Sequence, residues 1–193
     1  MEGGYRLTAV NAAVNLSAAA ASNVIADTTA PTPTLGANTY VSTASSALVQ
    51  SSEAGTAYLV KDTIAVGGLL SNITLAADSS WNQVAITTAN TNTNLGLAGL
   101  SDGSYSLYAA DAAGNLSSAP ANKVIVDSIA PNSTMAAQTF TSAISTSSAV
   151  VQSSEVGTAY LVKETIAVSS LPSITSAAGT RWHVVGLLSL NPN

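Results

Sequence analysis

Between residues 104 and 111 the chain alternates, with Tyr105, Leu107 and Ala109 on one face. An earlier stretch repeats the pattern as Tyr5, Leu7 and Ala9, separated by the polar Arg6 and Thr8. A two-residue period predicts a half-buried strand, and the polar neighbours put the Tyr/Leu/Ala face inward. Further β-prone runs, bounded by Gly, Pro, Asn, Asp and Ser, predict strands at 32–35, 47–51, 56–61, 63–66, 73–76, 81–87 and 123–127. Alanine is abundant and favours helix, but Ser, Thr, Asn and Gly interrupt every candidate before a 3.6-residue stripe develops. The pattern predicts an all-β sandwich. Tyr105, directly after "LSDG", stands where such a sandwich places its tyrosine corner.

The predicted strands recur. Val49–Lys61 and Val151–Lys163 differ only at Ala54 and Val156. "GSYSLYAADAAGNLSSAPANKVIVDSIAP", starting at Gly103, matches "GGYRLTAVNAAVNLSAAAASNVIADTTAP", starting at Gly3, and Trp81 matches Trp182. The period of about 100 residues suits one sandwich domain and is too long for a solenoid repeat. Residues 27–127 make one complete unit. Residues 1–26 match only the end of a unit, and residues 128–193 only its beginning. Laid on the complete copy, Asn193 falls on Asn92 and Met1 on Ser101, so residues 93–100, "TNLGLAGL", have no counterpart. That stretch reads as a loop.

Composition narrows the chemistry. Charged residues are 8% of the chain, against about 25% in an ordinary soluble domain, so Ser, Thr, Asn and Ala must cover the surface. The formal net charge is −5 and the cations Arg6, Lys61, Lys123, Lys163 and Arg181 are scattered, which makes nucleic acid a poor partner. Absence of cysteine excludes disulfides, thiolate metal sites and thiol catalysis. A single histidine, His183, rules out a multi-histidine site and reads as a half-buried strand residue. No apolar run approaches the roughly 18 residues of a membrane span. The opening "MEGGYRLTAV" lacks the basic and apolar regions of a secretory signal. If the chain is exported, its address is expected to have been removed, to lie elsewhere, or to belong to a larger parent.

"DTTAP" and "DSIAP" at the unit starts, "SSEAGTAYLV" in the middle and "LSDGSYSLYAADAAGNLS" near the end resemble bacterial immunoglobulin-like (Big-type) repeats. Such repeats build large surface adhesins and giant extracellular proteins, and the resemblance covers essentially the whole chain. It implies a seven-stranded immunoglobulin-like sandwich at the bacterial cell surface, a spacer role without catalysis, and often calcium at domain junctions.

In that topology Asp27, Glu53, Asp111 and Asn115 gather at one pole, with Glu2 approaching the same junction. Calcium takes six to eight oxygen ligands, and three carboxylates meeting without a cation repel one another. The second pole, Asp127 and Glu155 with Asn11, is a weaker set, because Asn11 replaces Asp111 and Val14 replaces Gly114. Each acid also has a local reading: Asp27 begins a turn before Ala-Pro, Glu53 caps a turn, and "DAAGN" forms an Asx-type turn with Gly114 at positive φ.

The flanking pieces suggest function. Residues 1–26 supply a hairpin without a sandwich, and residues 128–193 supply strands with an open edge and an uncovered core. Each alone is marginal. Tyr5, Leu7, Ala9 and Val24, with Trp182 as a core anchor, are expected at the surface where the pieces meet. Projecting from opposite ends of the complete unit, they are expected to pair between molecules, giving a head-to-tail homopolymeric fibre. The alternatives are a passive stalk segment of a giant repeat adhesin, or a carbohydrate- or ligand-binding module using Tyr58, Tyr108 and Tyr160 if these face outward.

Overall fold

Alternation along the chain produces strands whose apolar faces must find each other. A computed structural model describes residues 2–36, 39–41, 45–136, 149–179 and 182–187. The chain divides into two compact units, Met1–Ser128 and Ile129–Asn193. Among the described residues the fold is all-β, with two five-residue helices.

The first unit opens with a hairpin of β1 (Gly3–Arg6) and β2 (Asn23–Ala26). Next come β3 (Pro33–Leu35), β4 (Thr39–Val41), β5 (Ser46–Ser51) and β6 (Gly55–Lys61). Helix α1 (Leu70–Thr74) and a 3-10 turn at Asp78–Ser80 precede β7 (Trp81–Ile86), β8 (Thr93–Gly96), β9 (Gly103–Ala110) and β10 (Val124–Val126). Strands in the order β4-β10-β9-β6-β7 form one sheet, and β3-β5-β8 form the other. Leu35, Val49, Leu95 and Leu97 from the three-stranded side meet Leu59, Tyr105, Leu107 and Val124 from the five-stranded side in one buried core. This is a β-sandwich. The Tyr105 ring is fully buried and its hydroxyl donates to the Ser101 carbonyl at 2.5 Å, the geometry of a tyrosine corner.

Strand β6 is buried on both faces. Ala57 and Leu59 enter the inter-sheet core, while Tyr58 and Val60 join Val66, Ile73 and Ala110 in a second cluster on the opposite face. Trp81 packs at the edge of that second cluster, its ring centroid 6.2 Å from that of Tyr58 and its indole N–H donating to the Ala76 carbonyl at 3.4 Å. The tryptophan is thus an anchor, but of the outer cluster.

Three expectations are corrected here. Residues 63–66 are not a strand: 61–64 make a turn, closed by Ile64 N–H donating to the Lys61 carbonyl at 2.9 Å, and 65–66 continue without regular structure. The run 73–76 begins in the last residues of a short helix, α1, and leaves it at Leu75, and the helix carries Ile73 into the second cluster. Residues 93–100, read as a loop, hold β8, and Leu95, Leu97 and Leu100 there are all buried. Strand β7 pairs with β6, so β8 is the strand that completes the second sheet beside β5.

The second unit contains β11 (Ser133–Met135), β12 (Val151–Ser153), β13 (Gly157–Val162), α2 (Leu171–Thr175) and β14 (Trp182–Leu187). The β11-β12 pair has the register of β3-β5, and β13-β14 has that of β6-β7. Trp182 packs on Tyr160 with ring centroids 5.9 Å apart, as Trp81 does on Tyr58. Helix α2 repeats α1 with its own capping box, Ser170 and Ser173. Local structure therefore repeats faithfully.

Among the described residues no helix is long and apolar enough to cross a membrane.

Candidate metal centre and open sandwich faces

Two tight connections build the pole. The β9–β10 connection turns at Asp111–Asn115, where Asp111 Oδ1 accepts from Asn115 N–H at 2.9 Å and Oδ2 from Asn115 Nδ2 at 2.8 Å. Gly114 closes the turn at φ +90°, a conformation that glycine adopts without a Cβ penalty. The β5–β6 connection brings Glu53 alongside, and the segment after β2 brings Asp27, whose Oδ1 accepts from Thr29 N–H at 3.0 Å. One carboxylate oxygen from each of Asp27, Glu53 and Asp111 lies within 4.8 Å of the others. Two oxygens across an ion at about 2.4 Å are about 4.8 Å apart, and three spread evenly around it about 4.2 Å, so the three acids come close to the spacing at which hard donors share one calcium ion.

Asn115 has a different part from the one expected. Its Nδ2 donates to the Asp27 carbonyl at 3.1 Å as well as to Asp111, so it ties the connection to the incoming chain and presents N–H, not oxygen. Glu2 stays outside the triad and accepts from the hydroxyls of Thr28 and Thr29. These bonds hold the Glu2 carboxyl below its ordinary pKa, the Thr29 bond contributing most. Asp102 does the same to Ser128, accepting from its hydroxyl at 2.8 Å, so each hairpin is latched by an acid before its first strand.

At the second expected pole, Asn11 Oδ1 accepts from Ala13 N–H and Asn15 N–H, both at 3.0 Å. The turn keeps its shape although Val14 replaces glycine at φ +65°. A β-branched residue there stores strain of order 1–3 kcal/mol. Asp127 lies in the first compact unit and Glu155 in the second.

Two carboxyls of the central repeat titrate low. Burial works to raise the Asp111 pKa, but the Asn115 side-chain and backbone bonds outweigh it and leave it below the ordinary aspartate value. Asp62 follows the same balance: burial raises it, and bonds from Ser106, Ser104 and Lys123 lower it further. A carboxyl whose folded pKa is depressed stabilises the fold above its unfolded pKa, near 3.8, and loses that contribution as pH falls through the folded value. The melting temperature is therefore expected to hold from pH 7 to about pH 4 and to drop below it. In Asp62→Asn the drop becomes shallower, a difference read by thermal melts across that range.

The three tyrosines considered for ligand stacking are packing residues. Tyr58 is buried, Tyr108 lies half-buried in the same cluster, and Tyr160 rests on Trp182. His183, expected half-buried, is exposed on β14.

The hairpin and the second unit expose what the central repeat buries. Leu107 is 0% exposed but its counterpart Leu7 is 75%, Val124 is 0% but Val24 is 71%, and Leu59 is 0% but Leu161 is 46%. Tyr5 and Ala9, on the face that the alternation reads as inward, are exposed as well. Between β11-β12 and β13-β14 runs a groove of about 660 Å³, lined by Met135, Val151, Ala159, Leu161, Val185 and Leu187. Their counterparts Leu35, Val49, Ala57, Leu59 and Ile86 belong to the inter-sheet core, and Val84 packs against it. Trp182 does not line the groove.

No protein-family model, curated protein or solved structure matches this chain.

Proposed function

We propose that this chain is a non-enzymatic, extracellular structural protein of immunoglobulin-like sandwiches, whose copies join head to tail by strand complementation. One observation carries the reading: the hairpin piece exposes Tyr5, Leu7 and Val24, counterparts of the core residues Tyr105, Leu107 and Val124, and the second unit keeps a groove lined by counterparts of other core residues. Inserting Tyr5, Leu7 and Val24 into such a groove contributes about 1.5–3 kcal/mol per side chain. Each junction uses one hairpin and one groove, so it is heterologous and propagates. Light scattering after size-exclusion chromatography, with negative-stain microscopy, tests this on the 193-residue chain. Mass that grows with concentration, and linear particles, are the expected result. A monomer at all concentrations, with residues 1–26 either protease-sensitive or protected within that monomer, overturns it.

A passive spacer within a longer repeat polypeptide is favoured by a different observation. Among the described residues β12 pairs only with β11, whereas β5 pairs with β3 and with β8, which brings Leu95 to the core. Under that reading the chain remains monomeric and the central repeat supplies nearly all its stability.

In either case we propose calcium as the ion of the Asp27/Glu53/Asp111 pole, since the donors are all hard oxygens. Its role there is to fasten the incoming chain to the β5–β6 and β9–β10 connections. Calcium at a hundredfold excess over its Kd is expected to stabilise the fold by about 2.7 kcal/mol. EDTA should remove the effect, as should the pair Glu53→Gln and Asp111→Asn. A melting curve indifferent to both calcium and EDTA rules the ion out.

A further inference from the structure

The complementation reading leaves open how a hairpin and a second unit would align, and the central repeat supplies a template. There β9 lies antiparallel on β6, with Leu107 opposite Leu59 and Ser106 opposite Val60. The β1-β2 hairpin has the register of β9-β10, and β13-β14 has that of β6-β7. The edge of β13 that corresponds to the β9-paired edge of β6 has no partner strand among the described residues, and neither does the outer edge of β1.

At one end of this template sits an ion pair. Lys123 Nζ on the β10 side lies 3.0 Å from Asp62 Oδ1, and Ser106 of β9 donates to the same carboxylate oxygen at 2.6 Å. In the separated pieces these three positions read Asn23, Glu164 and Arg6. The cation has left the β10 position and appeared on the neighbouring β9 position, while the acid is kept. Arg6 lies directly across from Asn23 in the hairpin, and both Arg6 and Glu164 are exposed. One substitution alone would give two cations or none. Together they restore one cation facing one acid.

Two glycines carry the same register. A Cβ on Gly55 would sit 2.1 Å from the Ala110 carbonyl oxygen, because β9 passes against it, yet Gly157 has nothing within 4 Å. A Cβ on Gly103 would sit 2.7 Å from Lys61 Cε, where that lysine reaches the Asp102 carbonyl at 2.8 Å. Gly3 keeps a φ of +136° and also has nothing within 4 Å. Both empty places are filled if Val10 and Lys163 take the parts of Ala110 and Lys61.

We propose that β1 of one copy adds antiparallel to the free edge of β13 of a second copy with Leu7 opposite Leu161, and that an Arg6–Glu164 ion pair selects this register. The proposal rests on the complementation reading and specifies its partner as a second copy of this chain.

Charge exchange tests it. Arg6→Glu and Glu164→Arg are each expected to weaken self-association of the full chain about tenfold, by replacing attraction with repulsion. Mixed in equal amounts they should regain wild-type association, since each junction in an alternating polymer then faces opposite charges. Arg6→Gln and Glu164→Gln, which add no repulsion, should lose about two- to fivefold. Sedimentation velocity reads all of these, with circular dichroism confirming that each variant is folded. If the wild type associates but reversals leave it unchanged, or the mixture regains nothing, the register falls and complementation stands. If the wild type never associates, complementation itself falls and the register with it.

Discussion

Leu107→Ala is expected to lower the unfolding free energy of the central repeat by about 2–5 kcal/mol, whereas Leu7→Ala leaves that repeat's unfolding curve unchanged. The two leucines occupy the same place in the repeat, Leu107 within β9 and Leu7 directly after β1, whose hairpin has the register of β9-β10. Leu107 is enclosed by the two sheets, so truncation removes buried methyl groups and leaves a cavity that the strands cannot close. Leu7 is exposed on a two-stranded hairpin, so truncation removes nothing from a core. Its effect should appear only in association, where Leu7→Ala is expected to raise the dissociation constant at least tenfold. Trp81 fluorescence in urea reports the central repeat once Trp182 is replaced by phenylalanine. Equal losses of stability in the two variants would mean that the hairpin is already buried within its own chain.

Gly55→Ala carries the second large effect. The added carbon would meet the Ala110 carbonyl oxygen at 2.1 Å and the Asp111 Cα at 3.0 Å, both backbone atoms. No rotamer change relieves such a contact, and the Gly55 φ of +157° adds to the cost for a residue with a Cβ. Strands β6 and β9 must separate at that end, a loss expected at about 1–3 kcal/mol or more. The separation also displaces Asp111, so the calcium response should fall in the same variant. Thermal melts with and without calcium check both parts. An unchanged melting temperature would contradict the close approach of β6 and β9, and with it the template used for β1 on β13.

Much of the β architecture was legible in the pattern of residues. Alternation in "YSLYA" locates β9 and its buried face, because a strand's side chains can only point up or down. Repetition of "SSEAGTAYLV" as "SSEVGTAYLV" and of the "NLS" turn region identifies equivalent strands without any structure, since similar sequences in similar contexts satisfy the same local bonds. The carboxylate triad was also anticipated, because the connections bearing Glu53 and Asp111 fall at one end of a sandwich.

What failed did so for identifiable reasons. "TNTNLGLAGL" has the composition of a turn, and only the β5 edge, together with the apolar interior that takes up Leu95, Leu97 and Leu100, makes a strand of part of it. Ile73 resembles a strand residue by propensity, but one helical turn is enough to place it under Tyr58. Asn115 carries a potential oxygen ligand in any reading of the sequence, and only the path of the chain past Asp27 turns its N–H groups inward. Sequence alone determined the strand faces, the repeat period and the residues left over in the incomplete copies, all of which depend on neighbours close along the chain. Tertiary structure alone decided which identical leucine is buried, which glycine is crowded and which carboxylates meet, because burial, contact and charge proximity are set by the strands that arrive from elsewhere.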